Sequence, residues 1–249
     1  HEESCMLNLT YDDAHLPEHG QLWKDDLQRF FKRMRKAGLK FRYVASGEYG
    51  EQTRRPHFHI ALFGMDFNSD RVFFGRSANG DRTYISATVA KHWADANGVP
   101  IGNHLIGELN FESAAYIARY ILKKIKASDK VMPLPLYSDK ETGELIFPNP
   151  EFLLMSKGIS KGWFRDYFMT DVFPHGSVIT QQGSRAPVPR YYKNLLKEMG
   201  HDLALDMQFR QSVRAEAEAE MKKYENQPVR KIARRTVSES RVNQSKRIL

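Results

Sequence analysis

Two groups of side chains in this sequence have the type and spacing for phosphate chemistry. The first is His57-Phe58-His59, inside the run PHFHIALFG. Alternate side chains on a β-strand share a face, so His57, His59 and Ala61 point one way and Phe58, Ile60 and Leu62 the other. Two imidazoles a pleat apart offer neutral nitrogen donors in fixed directions, which suits a divalent metal ion. The same alternation also arises where histidines are only polar residues on a solvent-facing side. The second group is Tyr116 and Tyr120, in SAAYIARYILKKIK. Helical residues advance about 100° each, so the two phenols lie within about 40° of one another, one turn apart. Lys123 and Lys124 follow on or near that face. A phenolic oxygen that attacks a phosphodiester stores its energy as a phosphotyrosine, provided cations or a metal steady the developing charge. The plainer alternative is a pair of core aromatics whose hydroxyls reach the surface.

The segment ahead of the histidines adds a carboxylate. It ends in Ser46-Gly47-Glu48-Tyr49-Gly50, and a tight hairpin at about 51–54 sets Glu48 opposite His57. Cross-strand partners share a face at about 5 Å, which makes Glu48 a candidate third ligand. Two histidines and one carboxylate leave coordination positions open for phosphate oxygens and water. A register slip of one residue would turn Glu48 to the other face.

The elements that must position these groups follow from periodicity. Cys5–Tyr11 alternates as a strand, with Leu7 and Leu9 on one face and Asn8 and Thr10 on the other. From 22 to 37, Leu27, Phe30, Phe31 and Met34 mark an amphipathic helix that Gly38 stops. Strands are expected at 40–48 and 56–63, a loop or insertion at 64–82, a helix at 86–97, a strand at 104–110 and a helix at 112–126. This order is the ferredoxin-like split βαβ of an α+β domain, with one extra, tyrosine-bearing helix. The domain is expected to occupy residues 1–128. An irregular extension packed on it would run over 129–190, with four prolines between 129 and 150. Residues 191–249 read as a helical, basic region whose end is either helical or disordered.

The bulk properties fit a polyanionic partner. The net charge is +8 and the pI about 9.4. From Met221 to Leu249 there are nine Lys or Arg against two Glu, so most of the excess sits in the tail. That tail reads either as an arm tracking phosphates or as a solvated end. A single cysteine, Cys5, excludes an intramolecular disulfide and fits a reducing compartment. No apolar run reaches the roughly 18–20 residues of a membrane span. The chain opens on His1 rather than methionine, and further residues are expected upstream.

With these residues in place, the sequence resembles the HUH endonuclease superfamily. More narrowly, LTYDDAHLP at 9–17, GEYG at 47–50, RPHFHIALFG at 55–64 and AAYIARYILKKIK at 114–126 resemble the replication initiators of microviruses, especially gokushoviruses. EFLLMSKGISKGWF at 151–164 is similar to that group's downstream motif, although Lys157–Gly162 departs from its basic, proline-containing run. The resemblance implies an HUH fold over 1–128 and rolling-circle replication in the cytoplasm of a bacterial host. It implies nicking of single-stranded DNA at a viral origin, covalent capture of the 5′ phosphate and later rejoining. A 3′ hydroxyl would be left for a host DNA polymerase. Carried over, Tyr116 and Tyr120 are alternating nucleophiles, Lys123 or Lys124 steadies the scissile phosphate, and His57, His59 and Glu48 hold the metal. Mg²⁺ or Mn²⁺ fits a site that must take and release phosphate oxygens better than zinc does. Asp12, Asp13, Tyr49 and Arg55 are candidates for shaping the site or contacting DNA, and Phe41, Tyr43 and Tyr49 for core packing or base stacking.

The rival readings are a non-catalytic origin-DNA-binding module, a plasmid relaxase or transposase of the same superfamily, and a zinc hydrolase. The last gives the tyrosine pair no role. No G-x-x-x-x-G-K-[ST] loop occurs, so unwinding is expected to fall to a separate host helicase.

Overall fold

A computed structural model describes residues 3–50, 52–115, 117–118, 137–138, 142–180 and 183–245. The chain divides into two units, His1–Ile159 and Ser160–Leu249. The boundary falls inside the 129–190 segment that the sequence reads as one extension.

The first unit is built on seven antiparallel strands. They are β1 (Ser4–Thr10), β2 (Arg42–Tyr49), β3 (Pro56–Phe63), β4 (Arg71–Arg76), β5 (Arg82–Ser86), β6 (His104–Glu108) and, after the small hairpin of β7 (Tyr137–Ser138) and β8 (Leu145–Ile146), β9 (Phe152–Met155). The sheet order is β4-β5-β6-β1-β3-β2-β9. Its central four strands, β6-β1-β3-β2, have the order of a split βαβ fold, with α1 (Lys24–Lys36) and α2 (Ala87–His92) as the crossover helices. The α+β, HUH-like architecture expected from the sequence is therefore present.

Alternation sorts the two faces. Leu7 and Leu9 of β1 stand beside Ile60 and Phe58 of β3, and all four are fully buried under Leu27, Phe30, Phe31 and Met34 of α1. Side chains of this size contribute about 1.5–3 kcal/mol each when fully buried. Trp93 completes this layer, with ring centroids 5.3 Å from Tyr11 and 5.6 Å from Phe58. Its indole N–H donates to the Thr10 carbonyl at 3.0 Å, which pins the end of β1 beside the histidine strand. Phe41 and Tyr43 belong to the same packing, Tyr43 stacking on Phe31 at 3.9 Å.

Three elements differ from the sequence reading. The 64–82 loop contains β4, and β4 pairs with β5 as a hairpin extending the sheet. Val72, Phe73 and Phe74 are all exposed there, and a strand with neither face buried carries no period-two signal. The 86–97 helix stops at His92. Beyond it, the Asp95 carboxylate accepts the amides of Asn97 and Val99, a local turn that competes with helix. On the far edge, β9 pairs with β2 and brings Phe152 over Gly47, where any Cβ would come within 2.6 Å of its ring.

Past β6, Asn110 and Ser113 exchange hydrogen bonds, Ser113 N–H to Asn110 Oδ1 and Asn110 N–H to Ser113 Oγ, both 2.9 Å. This reciprocal cap opens a helix over 111–115, continuing at 117–118. The second unit is helical, as expected of the C-terminal region. It holds α3 (Lys161–Tyr167), a π-helical turn (Phe168–Val172), a hairpin of β10 (Ser177–Ile179) and β11 (Arg185–Pro187), α4 (Arg190–Met199), α5 (His201–Met221) and α6 (Pro228–Ser245). Its own core includes Phe164, Phe168, Val172, Leu195 and Leu196. Among the described residues, no helix is long and apolar enough to cross a membrane.

Candidate metal centre

The sheet face opposite α1 carries the polar side chains. The β2–β3 register pairs Glu48 with His57 and Ser46 with His59, and the β1–β3 register pairs Thr10 with His57 and Asn8 with His59. Three strands thus deliver one polar cluster.

The hairpin turn fixes this register. Gly50 N–H donates to the Arg55 carbonyl at 3.0 Å, and Arg54 N–H donates back to the Gly50 carbonyl at 2.9 Å. Arg54 takes a positive φ of 56° to close the turn. The same Arg55 carbonyl accepts from His57 Nδ1 at 3.1 Å. A carbonyl only accepts, so Nδ1 of His57 bears the proton and Nε2 keeps its lone pair. His59 is set alike: its Nδ1–H donates to Asn8 Oδ1 at 2.7 Å, leaving Nε2 as the donor atom toward a metal.

Both Nε2 atoms converge on Glu48. His57 Nε2 lies 4.0 Å and His59 Nε2 3.9 Å from Glu48 Oε2. Glu48 is 2% exposed, and the Ser46 hydroxyl donates to its Oε1 at 2.6 Å. One ligand atom from each of Glu48, His57 and His59 lies within 4.8 Å of the others, with the histidines half-buried. Two imidazole nitrogens and a carboxylate oxygen, oriented by second partners, are a donor set that fits a divalent ion with open positions. Asn8 and Ser46 are the residues that sequence reading missed. The available signal was their place on the histidine side of β1 and β2.

The other candidates lie as follows. Arg55 spans the first turn, donating from Nη1 to Asp13 at 2.6 Å and from Nη2 to the Tyr11 carbonyl at 2.9 Å. Asp12 accepts the ring N–H and amide of His15, both at 2.8 Å, and the His15 side-chain bond in particular holds its carboxyl below the usual range. Tyr49 points to the face opposite Glu48. It is buried, its hydroxyl oxygen accepts Leu22 N–H at 2.9 Å, and the Arg54 guanidinium lies over its ring. That packing leaves Tyr49 no open ring face for a DNA base. Tyr116, Tyr120, Lys123 and Lys124 lie outside the described residues.

Comparison with known proteins places this arrangement. The family of the replication-associated protein ORF2 matches residues 4–125, the stretch from β1 through the two-tyrosine segment. Replication-associated protein VP4 of Bdellovibrio phage phiMH2K is 26% identical over 235 residues, covering 91% of this chain and 68% of that protein. Replication-associated protein ORF2 of Spiroplasma virus 4 is 31% identical over 216 residues, 81% of this chain and 60% of that protein. Replication-associated protein ORF4 of Chlamydia phage 1 is 28% identical over 223 residues, 86% of this chain and 51% of that protein. The chain therefore spans between about half and two thirds of the length of these relatives. No solved structure matches it. An HUH-like sheet with a two-histidine, one-carboxylate cluster, matched along most of its length by phage proteins of one description, marks this chain as a member of the replication-associated proteins of microvirus-type phages.

Proposed function

We propose that the chain is a metal-dependent tyrosine DNA endonuclease and strand transferase that starts and ends rolling-circle replication of a phage genome. The observation that carries this reading is the convergence of His57 Nε2, His59 Nε2 and Glu48 Oε2 on one sheet face. A bound Mg²⁺ or Mn²⁺ would polarise a non-bridging oxygen of the scissile phosphate. The chain's own residues do the rest. Asn8 and the Arg55 carbonyl hold the two imidazoles in the ligating tautomer. Ser46 orients the buried carboxylate. Tyr116 or Tyr120 supplies the attacking phenolic oxygen, displacing the 3′ oxygen and retaining the 5′ phosphate as a phosphotyrosine. Lys123 or Lys124 balances the negative charge that builds on the phosphate. The second tyrosine reverses the step at the end of a replication round, so cleavage and joining use one site. Origin DNA is the substrate, and a host polymerase and helicase act on the nicked product.

The test is cleavage of an end-labelled single-stranded origin oligonucleotide, read on a denaturing gel. The reading expects a nick and a protein-linked band that require Mn²⁺ or Mg²⁺ and vanish in the Tyr116→Phe, Tyr120→Phe double variant. Cleavage that survives full chelation, or that persists undiminished in the double variant, contradicts it.

A further inference from the structure

The second unit carries a row of aromatic rings that its core does not use. Trp163 and Tyr167 lie one turn apart on α3, and Tyr191 and Tyr192 open α4. Trp163 stacks on Tyr192 with centroids 5.8 Å apart and planes 21° off parallel. Tyr167 continues the row 6.0 Å beyond Trp163, and Tyr191 lies 6.1 Å beyond Tyr192. The interior of this unit is filled from the other side of α3, where Phe164 and Phe168 are almost fully buried. Trp163, Tyr167 and Tyr191 remain 38%, 51% and 40% exposed. Leaving three large rings half in water forgoes burial energy, and an exposed patch of this kind marks a contact surface.

The surrounding charge says what the surface meets. The two helices carry five cations against two carboxylates, and one of those carboxylates, Asp166, is bound by Arg165 at 2.7 Å. Lys161, Arg190, Lys193 and Lys197 are all exposed. Flat π-faces bordered by cations match a polyanion with unpaired bases: bases stack on the rings while phosphates meet the cations. Duplex DNA offers its phosphates but keeps its base faces closed. We infer that the Tyr167–Trp163–Tyr192–Tyr191 row is a base-stacking platform for single-stranded DNA. The inference rests on the replication reading only for the identity of the polymer, since stacking needs neither the metal nor the phosphotyrosine.

The experiment uses the full chain in EDTA, so that binding is read without cleavage. Trp93 is fully buried, and replacing Trp23 by Phe leaves Trp163 as the accessible reporter. Titration with an oligothymidylate is expected to quench Trp163 fluorescence saturably, whereas a duplex of equal length quenches little. Trp163→Leu and Tyr167→Ala are each expected to weaken single-strand binding about tenfold. Tyr167 is half exposed, so its truncation reads the surface without disturbing the core. An oligonucleotide with abasic residues at its centre should bind the unchanged protein as weakly as the variants bind the intact strand. No quenching at saturating DNA, or affinities within twofold of the parent for both variants, overturns the platform. Should cleavage prove independent of Tyr116 and Tyr120 while quenching and both affinity losses persist, the nicking reading falls and the platform stands.

Discussion

Asn8 and His59 face each other across β1 and β3, and the 2.7 Å bond from His59 Nδ1–H to Asn8 Oδ1 decides which nitrogen of the histidine is left to bind a metal. The Arg55 carbonyl does the same for His57 from the hairpin turn. Neighbouring strands therefore set the donor atoms of both imidazoles before any ion arrives.

Removing that partner tests its role directly. Asn8→Leu keeps a side chain of similar size on a half-buried strand position but cannot accept the Nδ1 proton. Mn²⁺ affinity, measured by calorimetry, is expected to fall about 10- to 100-fold, as for other partners that orient metal-ligating histidines. The circular dichroism spectrum should be unchanged. Unaltered Mn²⁺ affinity would mean that Asn8 does not set the His59 tautomer.

Gly102 packs against the end of the same strand. A Cβ there would lie 1.9 Å from the Thr10 carbonyl oxygen and 2.6 Å from Tyr11 Cα, and backbone cannot rotate away. Gly102→Ala is expected to cost about 3 kcal/mol or more in urea unfolding. Because Thr10 stands opposite His57, Mn²⁺ binding should weaken as well. A stability within 0.5 kcal/mol or so of the parent, the usual range for an inert surface change, would show that the loop simply moves.

The buried Cys5 makes stability sensitive to alkali. Burial first, and the Asp66 carboxylate second, push its thiol from 9.0 up to about 12. The unfolded chain therefore releases this proton near pH 9 while the folded chain retains it. The thiol's contribution is complete below pH 9 and is lost as pH rises toward 12, at about 1.4 kcal/mol per pH unit for one group. Tyr11 acts in the same direction, raised by burial and by Asp26. Urea midpoints are expected to fall between pH 9 and 11, and less steeply in Cys5→Ala. Parallel pH profiles for the two proteins would contradict this assignment.

What the sequence made legible was whatever one buried face stamps on it. Phe58, Ile60 and Leu62 are buried and the residues between them face the polar side, so the histidine face and its pairing with Glu48 could be read from alternation and one short turn. The β4 hairpin could not, because Val72, Phe73 and Phe74 are all exposed. Nor could β9, whose attachment to β2 depends on Phe152 covering Gly47, a contact more than 100 residues apart in the chain. The α2 end was hidden for a local reason, since the Asp95 side chain diverts the backbone while the apolar pattern runs on. Asn8 and Ser46 looked like ordinary polar strand residues, and their roles emerge only when three strands are laid side by side. Tyr49 shows the converse. It looked like a surface aromatic beside the site, yet its odd-numbered position on β2 turns it into the core.

The most direct test of the account is to find where DNA becomes attached. Protein incubated with a single-stranded origin oligonucleotide and Mn²⁺ would be digested and its peptides examined by mass spectrometry for a nucleotide adduct. The account predicts an adduct on Tyr116 or Tyr120, absent when EDTA is present and absent in Glu48→Gln. Cleaved DNA with no peptide adduct, or an adduct on any other residue, would contradict it.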